Sequence, residues 1–138
     1  MQQDTPRVTG IGGIFFKTAD PEKIRNWYSE HLGFDTDKYG TMFEFRQADN
    51  PRKKGYLQWS PFPENTDYFD PAEKQFMINY RVNDLEGIVE NLRGSDVEIL
   101  GEIREYEYGK FAHIMDPEGN KIELWEPVDE VFEEMYGK

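Results

Sequence analysis

The sequence predicts an α+β fold built as two βαβββ modules followed by a short C-terminal helix. Three observations carry this. A strand-like run leading into an Asp-capped amphipathic helix occurs twice, with the caps at Asp20 and Asp84. Three further strand-like runs follow each helix. The length of 138 residues suits one domain, and a 15% share of Phe, Trp and Tyr supplies large apolar area to a chain only 37% hydrophobic. Module one covers about residues 8–60, a linker about 61–73, module two about 74–127 and the terminal helix about 128–136.

In order, Ile11–Thr18 reads as the first strand, centred on Ile14, Phe15 and Phe16. Asp20-Pro21 starts the first helix, because Asp accepts free N–H groups and Pro at the first helical position lacks none that is needed. Ile24, Trp27, Tyr28, His31 and Leu32 form its apolar stripe, and Gly33 ends it. His31 is expected to pack against the core or lie at the helix end. Phe34–Tyr39, Thr41–Gln47 and Gly55–Ser60 read as strands, with Arg52-Lys53-Lys54 a solvated turn. In the second module Gln75–Val82 is a strand and Asp84 caps a helix with the stripe Leu85, Ile88, Val89 and Leu92, closed by Gly94. Val97–Ile103, Tyr108–Met115 and Lys121–Glu126 complete it.

Asp116-Pro117-Glu118-Gly119-Asn120 is the sharpest turn signal: Pro suits the second position of a type I turn and Gly the left-handed residue after it. If Asp116 closes against Asn120, Ile114 faces Ile122 and His113 faces Glu123 on one side of the sheet. Val128, Val131, Phe132 and Met135 fall at helical spacing in an acidic tail, a helix expected to pack on the domain or on a second subunit.

Composition removes several functions. No cysteine means no disulfide, thiolate nucleophile, zinc finger or iron–sulfur cluster, and two histidines cannot build a three-histidine metal site. A net charge of −12 argues against nucleic-acid and anionic-membrane surfaces. Met1–Thr9 is polar and lacks a signal-peptide core, and no apolar run is long enough to span a bilayer, so the expected location is the cytoplasm.

Period-two alternation divides each strand between two faces. The more apolar set, expected under the helices, is Ile14 and Phe16; Leu57 and Trp59; Ile78, Tyr80 and Val82; Ala112 and Ile114; Ile122 and Leu124. The other set holds Gly13, Phe15 and Lys17; Tyr56, Gln58 and Ser60; Met77, Asn79 and Arg81; Phe111, His113 and Met115; Glu123 and Trp125. It mixes aromatics with a few polar groups, as a ligand cavity does.

The module order, Trp27-Tyr28-Ser29-Glu30-His31-Leu32-Gly33-Phe34, and Asp116-Pro117-Glu118-Gly119-Asn120-Lys121-Ile122-Glu123-Leu124 together resemble the vicinal oxygen chelate superfamily, which includes glyoxalase I, bleomycin- and fosfomycin-resistance proteins and extradiol dioxygenases. The resemblance runs from about Val8 to Pro127. It implies that the modules curl into a U-shaped mixed sheet with the site inside, and that the protein forms a homodimer. It leaves the reaction open. Metal-dependent members place one ligand on the first and last strand of each module. Carried over, these positions are Gly13, Gln58 (Trp59 after a one-residue slip), Met77 and Glu123. One carboxylate and one amide make a poor transition-metal site, so no cofactor is expected; a divalent metal on this degenerate set is the alternative.

His113 and Glu123 are the candidate catalytic pair, Glu123 as general base, or else a polar pair that anchors a ligand. Lys17, Asn79 and Arg81 are candidates for an anionic or carbonyl group and Phe15, Phe111 and Trp125 for stacking, each equally a rim or packing residue; Gln58 and Met77 are candidates for further ligand contact. The expected function is binding of a small organic molecule in the sheet cavity, with a cationic ligand favoured by the acidic surface. The alternatives are a lyase or isomerase using Glu123, and an interaction module acting through the acidic terminal helix.

Overall fold

Residues 5–136 are described by the structure, a computed structural model. Its elements are β1 (Val8–Thr18), α1 (Pro21–Leu32), β2 (Thr41–Gln47), β3 (Asn50–Pro63), β4 (Phe76–Val82), α2 (Leu85–Arg93), β5 (Ile99–Tyr106), β6 (Gly109–Met115), β7 (Lys121–Pro127) and α3 (Asp129–Tyr136). The strands form one mixed sheet in the order β2-β3-β1-β4-β7-β6-β5. β1 and β4 meet antiparallel at its centre, with β3 parallel to β1 on one side and β7 parallel to β4 on the other. The two halves therefore repeat about the β1–β4 seam.

Both helix starts follow from their caps. Asp20 accepts from Lys23 N at 3.1 Å and Asp84 from Gly87 N at 3.0 Å. Gly33, at φ 74°, turns the chain out of α1 and sends its N–H to Ser29 O, while Phe34 N reaches Tyr28 O. The β6–β7 hairpin closes as its turn chemistry predicts. Asp116 N donates to Asn120 O at 2.9 Å, and Gly119 takes φ 84°. The register pairs Ile114 with Ile122 and His113 with Glu123.

Three expectations are corrected. Phe34–Tyr39 is not a strand; it contributes only the Asp37–Gly40 bridge, because the tight turn spends the backbone groups that would have paired with a sheet. Arg52-Lys53-Lys54 lies inside β3, since Ala48-Asp49 already supplies the reversal between β2 and β3 and Pro51 falls near the start of the strand, where a missing N–H is tolerated. The apolar stripe of α1 is not buried: Trp27 and Leu32 are 50% and 58% exposed. The helix holds on through Tyr28, whose ring meets Phe34 and Trp59 at 5.1 and 4.7 Å. His31 is exposed in its last turn, beside the Trp27 ring.

Helix coverage is thus lopsided. α2 buries Leu85 and Val89 on Val82, Ala112 and Leu124, a conventional helix-on-sheet core. Under module one the same face leaves Val8, Ile11, Ile14 and Phe76 exposed. The opposite face is the better buried one: Tyr56, Met77, Asn79, Arg81, Glu123 and Trp125 are each no more than 4% exposed. Two pieces of chain outside the sheet cover it. The linker inserts Phe69, fully buried against Phe15 and Met77. α3 inserts Phe132 between Tyr56 and Trp125, a burial that contributes roughly 1.5–3 kcal/mol. No described helix is long and apolar enough to cross a membrane.

Candidate functional site

The strand register aligns five residues in one row on this inner face. Gln58 of β3, Gly13 of β1, Asn79 of β4, Glu123 of β7 and His113 of β6 lie side by side. Asn79 stands beside Glu123 as Gly13 stands beside Gln58, so the second-module counterpart of Gly13 is Asn79. The alignment that gave this place to Met77 is corrected: β4 is offset by two residues against the cap, which the helix start alone does not reveal.

Glu123, 2% exposed, has a donor for each oxygen. Asn79 Nδ2 donates to Oε1 at 2.7 Å, His113 Nε2 lies 2.9 Å from Oε2, and the Tyr68 hydroxyl donates to Oε2. Tyr68 arrives from the linker, stacked on Phe62 and edge-on to His113, with its carbonyl held by Lys121 Nζ at 2.7 Å. Burial first, and then the Glu123 carboxylate, push the Tyr68 hydroxyl pKa above the usual phenol range. Burial lowers that of Lys121. Tyr68 therefore acts as a proton-holding donor to a buried carboxylate.

A cavity of about 620 Å³ opens beside this network. The sheet contributes Phe15, Tyr56, Gln58 and Phe62, the loops Tyr39, Tyr68 and Tyr108, and α3 contributes Phe132. Asp35, Asp37, Glu44 and Glu123 supply carboxylates; among the described lining residues the one lysine is Lys38, and Lys54 Nζ lies 3.7 Å from Glu44. A second groove of about 600 Å³ lies beyond Tyr68, lined by Phe111 and His113 among others, and Tyr68 and Tyr108 border both spaces.

Of the residues expected at the site, Phe15, Gln58 and Glu123 line the cavity, and Phe111 and His113 line the groove. The others lie elsewhere. Met77 is fully buried with Phe15 and Phe69, Asn79 is taken by Glu123, and Lys17 stands over the Phe69 ring. Arg81 pairs with Asp129 of α3, and Trp125 stacks on Phe111 under Phe132. The sequence reading missed Tyr68, Tyr39 and the acids around it, and the inward role of Phe132. Tyr68-Phe69, an aromatic pair in a polar linker, was the signal available.

The row does not fit a divalent metal. At Gly13 a Cβ would already stand 2.8 Å from the Phe15 ring, so an aromatic fills the space of the first ligand. Asn79 turns its nitrogen to Glu123, and its buried Oδ1, without a partner, points away from the carboxylate. Among the described residues no group of three or more His, Asp or Glu stands close enough to hold a metal.

Paired half-sheets meeting at a central seam, with a row of site positions crossing it on the inner face, define a class of protein in which the cavity belongs to both modules. The chain belongs to the Glyoxalase/Bleomycin resistance protein/Dioxygenase superfamily, whose family model matches residues 10–124. It is 25% identical to the uncharacterized protein YetH of Bacillus subtilis (strain 168), over 84% of this chain and 97% of that one. Among solved structures it resembles a methylmalonyl-CoA epimerase of Streptomyces coelicolor (TM-score 0.65, 14% identity, 88% of this chain and 99% of the other). The Mycobacterium tuberculosis methylmalonyl-CoA epimerase is also similar (TM-score 0.58, 23%, 91% and 92%). So is a superfamily member from Vibrio splendidus 12B01 (TM-score 0.53, 14%, 88% and 99%). At these identities the likeness shows the fold.

Proposed function

We propose that the protein binds a small organic cation in the inner cavity, without a metal, and acts by sequestering or carrying it. The observation that carries this reading is the cavity wall itself: aromatic faces from sheet, loops and α3, with Asp35, Asp37 and Glu44 at hand. Aromatic faces attract a desolvated cation, and carboxylates raise its local concentration. Glu123, tied to Tyr68, Asn79 and His113, supports a holding role more than a reactive one. Calorimetry with benzyltrimethylammonium and benzyl alcohol tests it. The cation should bind at least about tenfold more tightly than the alcohol, and Asp37→Asn should reduce the difference. Equal binding of the two, or none, overturns it. Protein purified without chelator should carry no stoichiometric Ni, Zn, Mn or Fe.

A second reading, a lyase or isomerase with Glu123 as base, is favoured by the carboxylate's place at the cavity wall with His113 Nε2 2.9 Å away. On that reading Glu123→Gln lowers turnover of a discovered substrate about a hundredfold or more; full turnover excludes it. The exposed Ile11, Ile14 and Phe76 of the outer face support a homodimer. A cytoplasmic location goes with this reading.

A further inference from the structure

Arg81 is an arginine on the inner face of a central strand, 4% exposed and set between the rings of Phe45 and Trp125 at 5.3 and 5.6 Å. Its one carboxylate partner among the described residues is Asp129 of α3, through a single bond from Nη2 to Oδ2 at 2.8 Å. Nη1 of Arg81 and Oδ1 of Asp129 are both buried without partners. A guanidinium offers a carboxylate two parallel N–H groups, and that forked geometry is the strong one. Asp129 does not adopt it, because it is fixed at the start of a helix and its Oδ2 also accepts from Gln47 Nε2 at 2.9 Å. Three residues further on, Phe132 puts its ring beside Tyr56 and Trp125, at 5.6 and 5.3 Å. α3 thus carries a carboxylate and an aromatic ring into a site whose walls belong to the sheet. α3 is held by one buried apolar side chain among the described residues, Phe132, by the bonds to Asp129 from Arg81 and Gln47, and by the Glu133 hydrogen bond from Tyr56.

We propose that Arg81, with Tyr56 and Trp125, forms a subsite for an aryl carboxylate, and that α3 occupies it as a tethered competitor. A free aryl carboxylate takes both N–H groups of the fork where Asp129 takes one, and its ring replaces that of Phe132. The subsite shares Tyr56 and Phe132 with the cation-binding cavity but uses the opposite charge, so it does not rest on that reading.

Benzoate is the probe, added to the full-length protein. In Asp129→Ala the Nη2 donor of Arg81 loses its competitor and both arms of the fork are open, so benzoate should bind about tenfold or more tighter than to the wild type and raise the Tm, with benzyl alcohol inert. Adding Arg81→Lys should abolish the gain, because an ammonium cannot make the forked pair. Phe132→Ala, which keeps the ion pair and opens the ring slot, is the second variant and should show the same Arg81-dependent gain. In the wild type, saturating benzoate should speed amide hydrogen exchange across α3. The proposal is overturned if benzoate binds neither variant better than wild type, if binding survives Arg81→Lys, or if α3 stays protected with benzoate bound. Benzyltrimethylammonium binding decides the cavity reading separately.

Discussion

At Gly13 the missing side chain is a packing requirement. The Phe15 ring lies where a Cβ would project, and Asn79 Cβ would stand 3.2 Å from it. Gly13→Ala should therefore lower stability by about 1–3 kcal/mol through displacement of Phe15, read by urea unfolding; an unchanged midpoint would mean that the ring relaxes freely. Glu123 is the reverse case, a buried carboxyl group whose two oxygens are held by Tyr68, Asn79 and His113. Glu123→Ala leaves Tyr68, Asn79 and His113 without their acceptor and should cost about 3–5 kcal/mol, whereas Tyr68→Phe removes one donor and should cost about 1–2. Equal losses in the two variants would show that the network is not centred on Glu123. The pairing of Glu123 with His113 was legible because a five-residue turn sets register locally. Tyr68 was not, because a loop residue is placed by where the loop lands.

The β6–β7 hairpin is the element whose chemistry is most self-contained. Asp116 accepts from the Asn120 side chain and backbone and from Glu118 N. The Asn120 side-chain hydrogen bond, the largest cause, holds the Asp116 pKa below the usual carboxylate value of 3.8. A carboxyl whose folded pKa is depressed contributes stability above its unfolded pKa and loses it as pH falls through the folded one. Unfolding free energy should thus fall below about pH 4 more steeply in the wild type than in Asp116→Asn, with hydrogen exchange of the hairpin amides following the same difference. Parallel slopes would count against the assignment. α3 contrasts with this hairpin. Its helical spacing was readable, but the surface it packs on was not, because Phe132 and Asp129 meet Tyr56 of β3 and Arg81 of β4, which are distant in sequence, as well as the nearby Trp125 of β7.

Across the whole molecule, the rule that helices cover the apolar face of a sheet holds only in module two, under α2; in module one burial is inverted. Alternation assigned residues to the two faces correctly, and the family resemblance anticipated the superfamily. The inner face is nonetheless the drier one, and the outer face of module one keeps Val8, Ile11, Ile14 and Phe76 exposed. A homodimer that covers this face should give a mass twice the 16.3 kDa chain by light scattering, and Ile14→Glu should return it to one. A wild-type monomer at micromolar concentration would sink that reading.

By itself the sequence determined what depends on near neighbours: both helix caps, the Gly33 stop, the hairpin register, and hence the facing of His113 and Glu123. These rest on hydrogen bonds and dihedral preferences acting over a few residues. Only the tertiary structure decided the two-residue offset that puts Asn79 in the row, the Phe15 ring over Gly13, and the burial of Arg81 beneath α3. Those outcomes depend on which segments fill the inside of the sheet, and that is settled by volume and charge across distant parts of the chain.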